Sequence, residues 1–162
     1  MVVVVVPAAA RSAGNVLLRY YDHVDTVAVH SKGLNDFVSE VDKASEQAII
    51  DVLHRSYPNH AILAEESGQH RGNEYQWVID PLDGTTNYLH GFPQFSVSIA
   101  LAHRGVMEHG LVYDPLREEM FTASRGAGAQ LNDRRIRVTD RKSLQGALLG
   151  TGFPYRIHNQ ID

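Results

Sequence analysis

Apolar and polar positions change their period about a third of the way along the chain. Up to Tyr57 the apolar side chains recur at helical spacing. From Ala8 to Tyr21 helix formers predominate, and Val16, Leu17 and Tyr20 offer an apolar face. Val41, Ala44, Ala48 and Val52, with Ile49 and Leu53 beside them, predict a second amphipathic helix. Ser39 is its expected cap, and Pro58 its expected stop. Beyond that point the period shortens. The runs over 61–64 and 75–79 are short, apolar and end at acidic residues. Phe95, Val97, Ile99 and Leu101 then alternate with Ser96, Ser98, Ala100 and Ala102, as in a half-buried strand. His103-Arg104-Gly105 predicts a turn into a strand over 106–113, and Asp114-Pro115-Leu116-Arg117 a turn into one over 118–123. Strands joined by such short turns pair antiparallel. Helices first and strands afterwards predict an α+β fold, with helices packed on a largely antiparallel sheet.

The first ten residues are read separately. Val2 to Val6 are five consecutive valines, followed by Pro7 and three alanines. A secretory signal carries its basic residue before the apolar run, whereas Arg11 comes after it. A membrane span needs roughly 20 apolar residues, about twice this run. Residues 1–10 are therefore an irregular leader or the start of the first helix; against the helix stands the stiffness of β-branched side chains. Residues 11–162 read as one domain, a length sufficient to bury a core.

Composition narrows the chemistry. Hydrophobic residues make up 43% and charged residues 21%, as in soluble globular proteins. A formal net charge of −4 gives the molecule as a whole no pull towards nucleic acid or anionic lipid. The absence of cysteine removes disulfides, thiolate metal sites and cysteine nucleophiles, and fits a reducing cytoplasm. The nine histidines show no zinc-site spacing. Arg125-Gly126-Ala127-Gly128-Ala129 lacks the third glycine of a dinucleotide loop and reads as a tight hairpin. Arg134, Arg135, Arg137, Arg141 and Lys142 read as an edge strand guarded by charge, with an RNA or protein contact as the alternative.

What remains is acidic. Asp42, Glu65, Asp80 and Asp83 all stand where a helix or strand begins or ends, whereas Asp36 and Asp51 read as solvated acids. Pro81 turns the chain after Asp80, so that Asp80 and Asp83 can face one point in space. Hard divalent cations such as Mg²⁺ take oxygen ligands of this kind, backbone carbonyls such as that of Leu82 included. A carboxylate bridging two cations about 4 Å apart lets one activate water and the other stabilise the leaving oxygen. Gly84-Thr85-Thr86-Asn87 follows at once: glycine permits close backbone approach, and threonine is a helix cap. A helix starting there offers free N–H groups to a phosphate. Cations must lie between that phosphate and the carboxylates, since like charges would otherwise repel.

The run Trp77-Val78-Ile79-Asp80-Pro81-Leu82-Asp83-Gly84-Thr85-Thr86-Asn87-Tyr88 resembles the signature of the inositol monophosphatase family. Glu65-Glu66-Ser67 resembles its upstream acidic motif, and Asn35-Asp36-Phe37-Val38-Ser39-Glu40-Val41-Asp42 the segment leading to its helix-borne aspartate. The likeness continues through Val112-Tyr113-Asp114-Pro115 and Gly126–Asn132 to Thr151-Gly152-Phe153-Pro154, and is nearest to bacterial members of the extragenic-suppressor type. It implies the sugar-phosphatase fold shared with fructose-1,6-bisphosphatase, and hydrolysis of myo-inositol 1-phosphate or a related phosphomonoester by metal-activated water. It implies two or three Mg²⁺, inhibition by Li⁺ and a homodimer. By the same resemblance Glu65, Asp80 and the Leu82 carbonyl would bind the first metal, and Asp80 and Asp83 the second. Thr85 paired with Asp42 would orient the attacking water, with Glu65 also contacting that water or a third cation. The substrate phosphate would meet Asp83 and the backbone of Gly84 and Thr85, and Lys32 would sit on a loop near the site. Bacterial relatives are also linked to RNA and the transcription machinery, which implies a binding role as the alternative. Family members run on for roughly another hundred residues, one further domain's worth. That part carries a Trp-Asp motif completing the second metal site, so the chain is expected to be the N-terminal portion, with an apolar face left uncovered.

Overall fold

The structure is a computed structural model, and it describes residues 2–23 and 34–150. Two long helices come first, α1 (Val2–Tyr21) and α2 (Leu34–Ser56). The strands β1 (Ala61–Ala64), β2 (Gly68–His70) and β3 (Tyr75–Asp83) follow. A single helical turn, α3 (Thr85–Leu89), leads into β4 (Ser96–His103), β5 (Val106–Asp114) and β6 (Glu119–Ser124). The strands β7 (Gly128–Leu131) and β8 (Arg134–Ile136) complete the sheet. All eight strands form one sheet in the order β2-β1-β3-β4-β5-β6-β7-β8. Only β1 and β3 run parallel, and every other neighbouring pair is antiparallel. The fold is thus α+β with a largely antiparallel sheet, as its patterning predicts.

Both long helices lie on one face of the sheet, α1 against β4 and β5 and α2 against β3. Between them and the sheet, Leu17, Ile49 and Leu53 bury against Ile62, Trp77, Ile79, Val97, Ile99, Leu101 and Leu111. The helical stripes are turned from their predicted faces. On α1 the buried positions are Val6, Ala9, Ala10, Ala13, Gly14 and Leu17, while Val16 and Tyr20 are half-buried. Small side chains let α1 approach closely: a Cβ on Gly14 would stand 2.7 Å from the Tyr113 ring. The valines lie inside α1, with Val6 in the core and Val4 74% exposed. Their packing outweighs a weak intrinsic preference, as tertiary contacts commonly do.

On α2 the buried face is Val41, Asp42, Ser45, Glu46, Ile49, Ile50 and Leu53, with Ala44, Ala48 and Val52 half-buried. The apolar stripe misplaces this face because three of its residues are polar. The helix also begins at Leu34 rather than at Ser39, so Asp42 sits in its third turn, beyond the reach of the N-terminal dipole. Pro58 does follow its end.

The opposite face of the sheet is apolar and open. One register row crosses it from Leu63 through Val78, Ala100, Gly110, Ala123 and Ala129 to Ile136. Leu63, Val112, Phe121 and Ile136 on that face are each 37–42% exposed. Among the described residues no helix is long and apolar enough to cross a membrane.

Candidate metal centre

The parallel pair β1–β3 positions the centre. Ala64 and Ile79 form the last pair of the parallel ladder, so Glu65 and Asp80 follow it side by side. The Glu65 amide donates to the Ile79 carbonyl at 3.2 Å, which fixes that adjacency. The register between β3 and β4 then breaks between Asp80 and Asp83. Pro81, which has no N–H to give the ladder, falls in this break. The Leu82 amide donates to Asp80 Oδ1 at 3.1 Å, closing a tight turn with Leu82 buried and Asp83 exposed.

Gly84 follows in the left-handed region with φ of 94°. A Cβ there would also stand 3.0 Å from the Gln94 carbonyl oxygen and 3.2 Å from Phe95 Cα. Conformation and space both require glycine. No side chain caps α3. The expected threonine cap is replaced by another bond, from the Thr85 hydroxyl to the Leu82 carbonyl at 2.9 Å. That carbonyl keeps a second lone pair for a cation. With only five residues, α3 has a weak dipole, so any phosphate held here would depend on direct N–H donors and on cations.

α2 closes the centre from below. Asp42 is 7% exposed, and its Oδ1 is buried without a hydrogen-bond partner. Burial first, then the charges of Glu66, Glu65, Asp80 and Glu46, push its carboxyl from an ordinary 3.8 up to about 7. Partial burial, and next Asp80 through its charge and a shared hydrogen bond, raise the Glu65 carboxyl. Asp80 is raised as well, by its burial above all, while the bond from Glu65 pulls the other way. Each of these shifts marks carboxylates crowded together with no counter-charge.

Such a donor set fits a hard divalent cation: carboxylates at two adjacent turns, one buried carboxylate oxygen with no partner, and one buried-turn carbonyl. Among the described residues no three acidic or imidazole side chains stand close enough to hold an ion. Asp42, Glu65, Asp80, Leu82, Asp83, Gly84 and Thr85 thus share one region, but Thr85 turns to Leu82 rather than to Asp42. Lys32 lies outside the described residues, as does the segment 151–154.

Two residues escaped the sequence reading. Ser45 and Glu46 are 0% and 3% exposed. Ser45 donates to the Pro81 carbonyl at 3.0 Å, while Glu46 accepts the amides of Glu66 and Ser67 at 2.8 and 2.9 Å. Their spacing of three and four from Asp42 was the available signal, since such positions share a helix face.

A two-helix layer on this mixed sheet, with acidic turns at the ends of its one parallel pair, is the architecture of sugar-phosphatase folds. The chain belongs to the inositol monophosphatase family, whose model matches residues 1–162. It is 56% identical over 158 residues to the Nus factor SuhB of Pseudomonas aeruginosa, covering 95% of this chain and 58% of that one. To the Nus factor SuhB of Escherichia coli it is 52% identical over 150 residues, with 91% and 56% covered. Among solved structures it resembles the extragenic suppressor protein SuhB of Bartonella henselae, at a TM-score of 0.78 and 41% identity, covering 88% of this chain and 56% of that one. The inositol monophosphatase of Anabaena superposes at 0.73 with 43% identity, covering 86% and 50%. The chain therefore spans 56–58% of the length of the two SuhB relatives matched by sequence.

Proposed function

We propose that the full-length protein hydrolyses a phosphomonoester, with myo-inositol 1-phosphate first among the candidates, using two or three Mg²⁺ at the acidic turns. The buried, unpartnered Oδ1 of Asp42 beside Glu65 and Asp80 carries this reading, because an orphaned carboxylate among other carboxylates lacks a cation. Glu65, Asp80 and the Leu82 carbonyl are the donors for one ion, and Asp80 with Asp83 for another. Bound Mg²⁺ would neutralise phosphate charge and make water more acidic. Gly84 brings the backbone close enough for its own and the Thr85 amide to meet phosphate oxygens. The Thr85 hydroxyl, released from Leu82, can orient the attacking water, and the free oxygen of Asp42 can accept a hydrogen bond from that pair. Inhibition by Li⁺ and a homodimer belong to the same proposal, and a cytoplasmic location suits it. Asp80→Asn in the full-length protein should abolish Mg²⁺-dependent phosphate release; release near the parent rate would overturn the bridging role. A panel of inositol, sugar, nucleotide and bisphosphate esters would separate the candidate substrates.

The names of the relatives favour a second reading, a binding role in the transcription machinery. Arg134, Arg135, Arg137, Arg141 and Lys142 are all exposed, and none is ion-paired among the described residues. If the Asp80→Asn protein still captures transcription factors or RNA, and neutralising these five cations removes them, binding is separate from catalysis. Unchanged capture after neutralisation would exclude this edge as the contact.

A further inference from the structure

Glu46 is a further carboxylate of this acidic cluster, buried on α2 where an apolar or amide side chain would cost less to desolvate. Its two oxygens each take one backbone amide, those of Glu66 and Ser67, at 2.8 and 2.9 Å. Those amides directly follow Glu65. One residue earlier on the same face, Ser45 donates to the Pro81 carbonyl at 3.0 Å, directly before Leu82. A single turn of α2 therefore grips both acidic turns through their backbones, while Asp42, one turn away on that face, keeps a buried oxygen without a hydrogen-bond partner. Within the sheet, the bond from the Glu65 amide to the Ile79 carbonyl closes the β1–β3 ladder just before the two turns.

We propose that Ser45 and Glu46 are positioning residues: they hold the Glu65–Ser67 and Asp80–Asp83 turns at the separation a divalent cation needs, and so set the affinity of the metal site. The proposal rests on the metal-dependent reading above. Ser45 fixes the peptide that precedes Leu82, and thereby the direction of the Leu82 carbonyl. Glu46 fixes the strand exit from which the Glu65 side chain projects. Both act on backbone groups rather than on side-chain donors. Supporting groups of this sort commonly contribute about 10- to 100-fold to metal affinity when their partners are true ligands.

Mn²⁺ titrated into the full-length protein, with free ion followed by electron paramagnetic resonance, tests this. Ser45→Ala and Glu46→Gln should each weaken Mn²⁺ binding about tenfold or more at unchanged stoichiometry. The bound-ion spectrum should also change shape, since the ligand geometry is altered. A merely structural role would lower the melting temperature and leave affinity and spectrum alone. Parent-like affinity and spectrum in both variants overturn the positioning role while leaving the metal reading intact. No Mn²⁺ binding by the full-length parent overturns the metal reading, and this proposal with it. If Glu46→Gln loses its helical circular dichroism, Ser45→Ala decides, because it removes one hydroxyl and leaves the helix intact.

Discussion

Replacing Asp42 by asparagine should stabilise the metal-free chain at neutral pH, although it deletes a charged residue at the centre of the site. Asp42 is 7% exposed, has an oxygen without a partner, and faces Glu66, Glu65, Asp80 and Glu46. In the folded chain its carboxyl titrates at about 7, against 3.8 when unfolded. Below 3.8 both states hold the proton and the native state bears no penalty. As pH rises, the unfolded chain ionises first, so stability is lost progressively until Asp42 itself ionises near 7. A rise of about three pH units sets a ceiling of about 4 kcal/mol. Screening by water that reaches the cluster lowers this to about 2 kcal/mol. Asparagine keeps the shape and removes the titration. Urea denaturation in EDTA at pH 5 and pH 8 is the assay. Part of that loss is complete by pH 5, so the parent should lose about 1 kcal/mol more than Asp42→Asn between those values. Mg²⁺ should reverse the order at pH 8, because a cation favours the anionic form of the parent. Equal pH slopes for the two proteins would refute the reasoning.

Gly84→Ala should cost about 1–3 kcal/mol in urea denaturation, since φ of 94° and the Gln94 and Phe95 backbones oppose a side chain; a loss below 0.5 would contradict this. In the full-length protein, Thr85→Ala should lower kcat about 10²-fold while moving the Mg²⁺ concentration for half-maximal rate far less, as judged by phosphate release. Leu17→Ala removes a fully buried anchor between α1 and the sheet and should cost about 2–5 kcal/mol with an unchanged urea slope.

Much of this architecture was legible in the chain, and the gaps have physical causes. The period-two alternation of Phe95–Ala102 and the turn residues at 103–105 and 114–117 placed β4, β5 and β6 within a residue or so of their ends. Asp80, Pro81 and Asp83 announced a turn because proline leaves the ladder. β2 went unseen, being three residues without an apolar pattern. The valine run resisted interpretation because intrinsic preference and tertiary packing oppose each other there. The face of α2 was misjudged since hydrophobic periodicity is blind to buried Asp42, Ser45 and Glu46. The exchange of a threonine cap for a bond to Leu82 depends on the positive φ of Gly84, which a residue list shows only as permission.

The central claim is that two adjacent turns gather oxygen atoms around divalent cations. Crystals of the full-length protein grown with Mn²⁺ and measured at its absorption edge test it most directly. An anomalous peak should lie about 2.1–2.3 Å from oxygens of Glu65, Asp80 and the Leu82 carbonyl, with the Glu65–Asp80 hydrogen bond broken. Those two carboxyls still bonded to each other at saturating Mn²⁺, with no peak between the turns, would contradict the account.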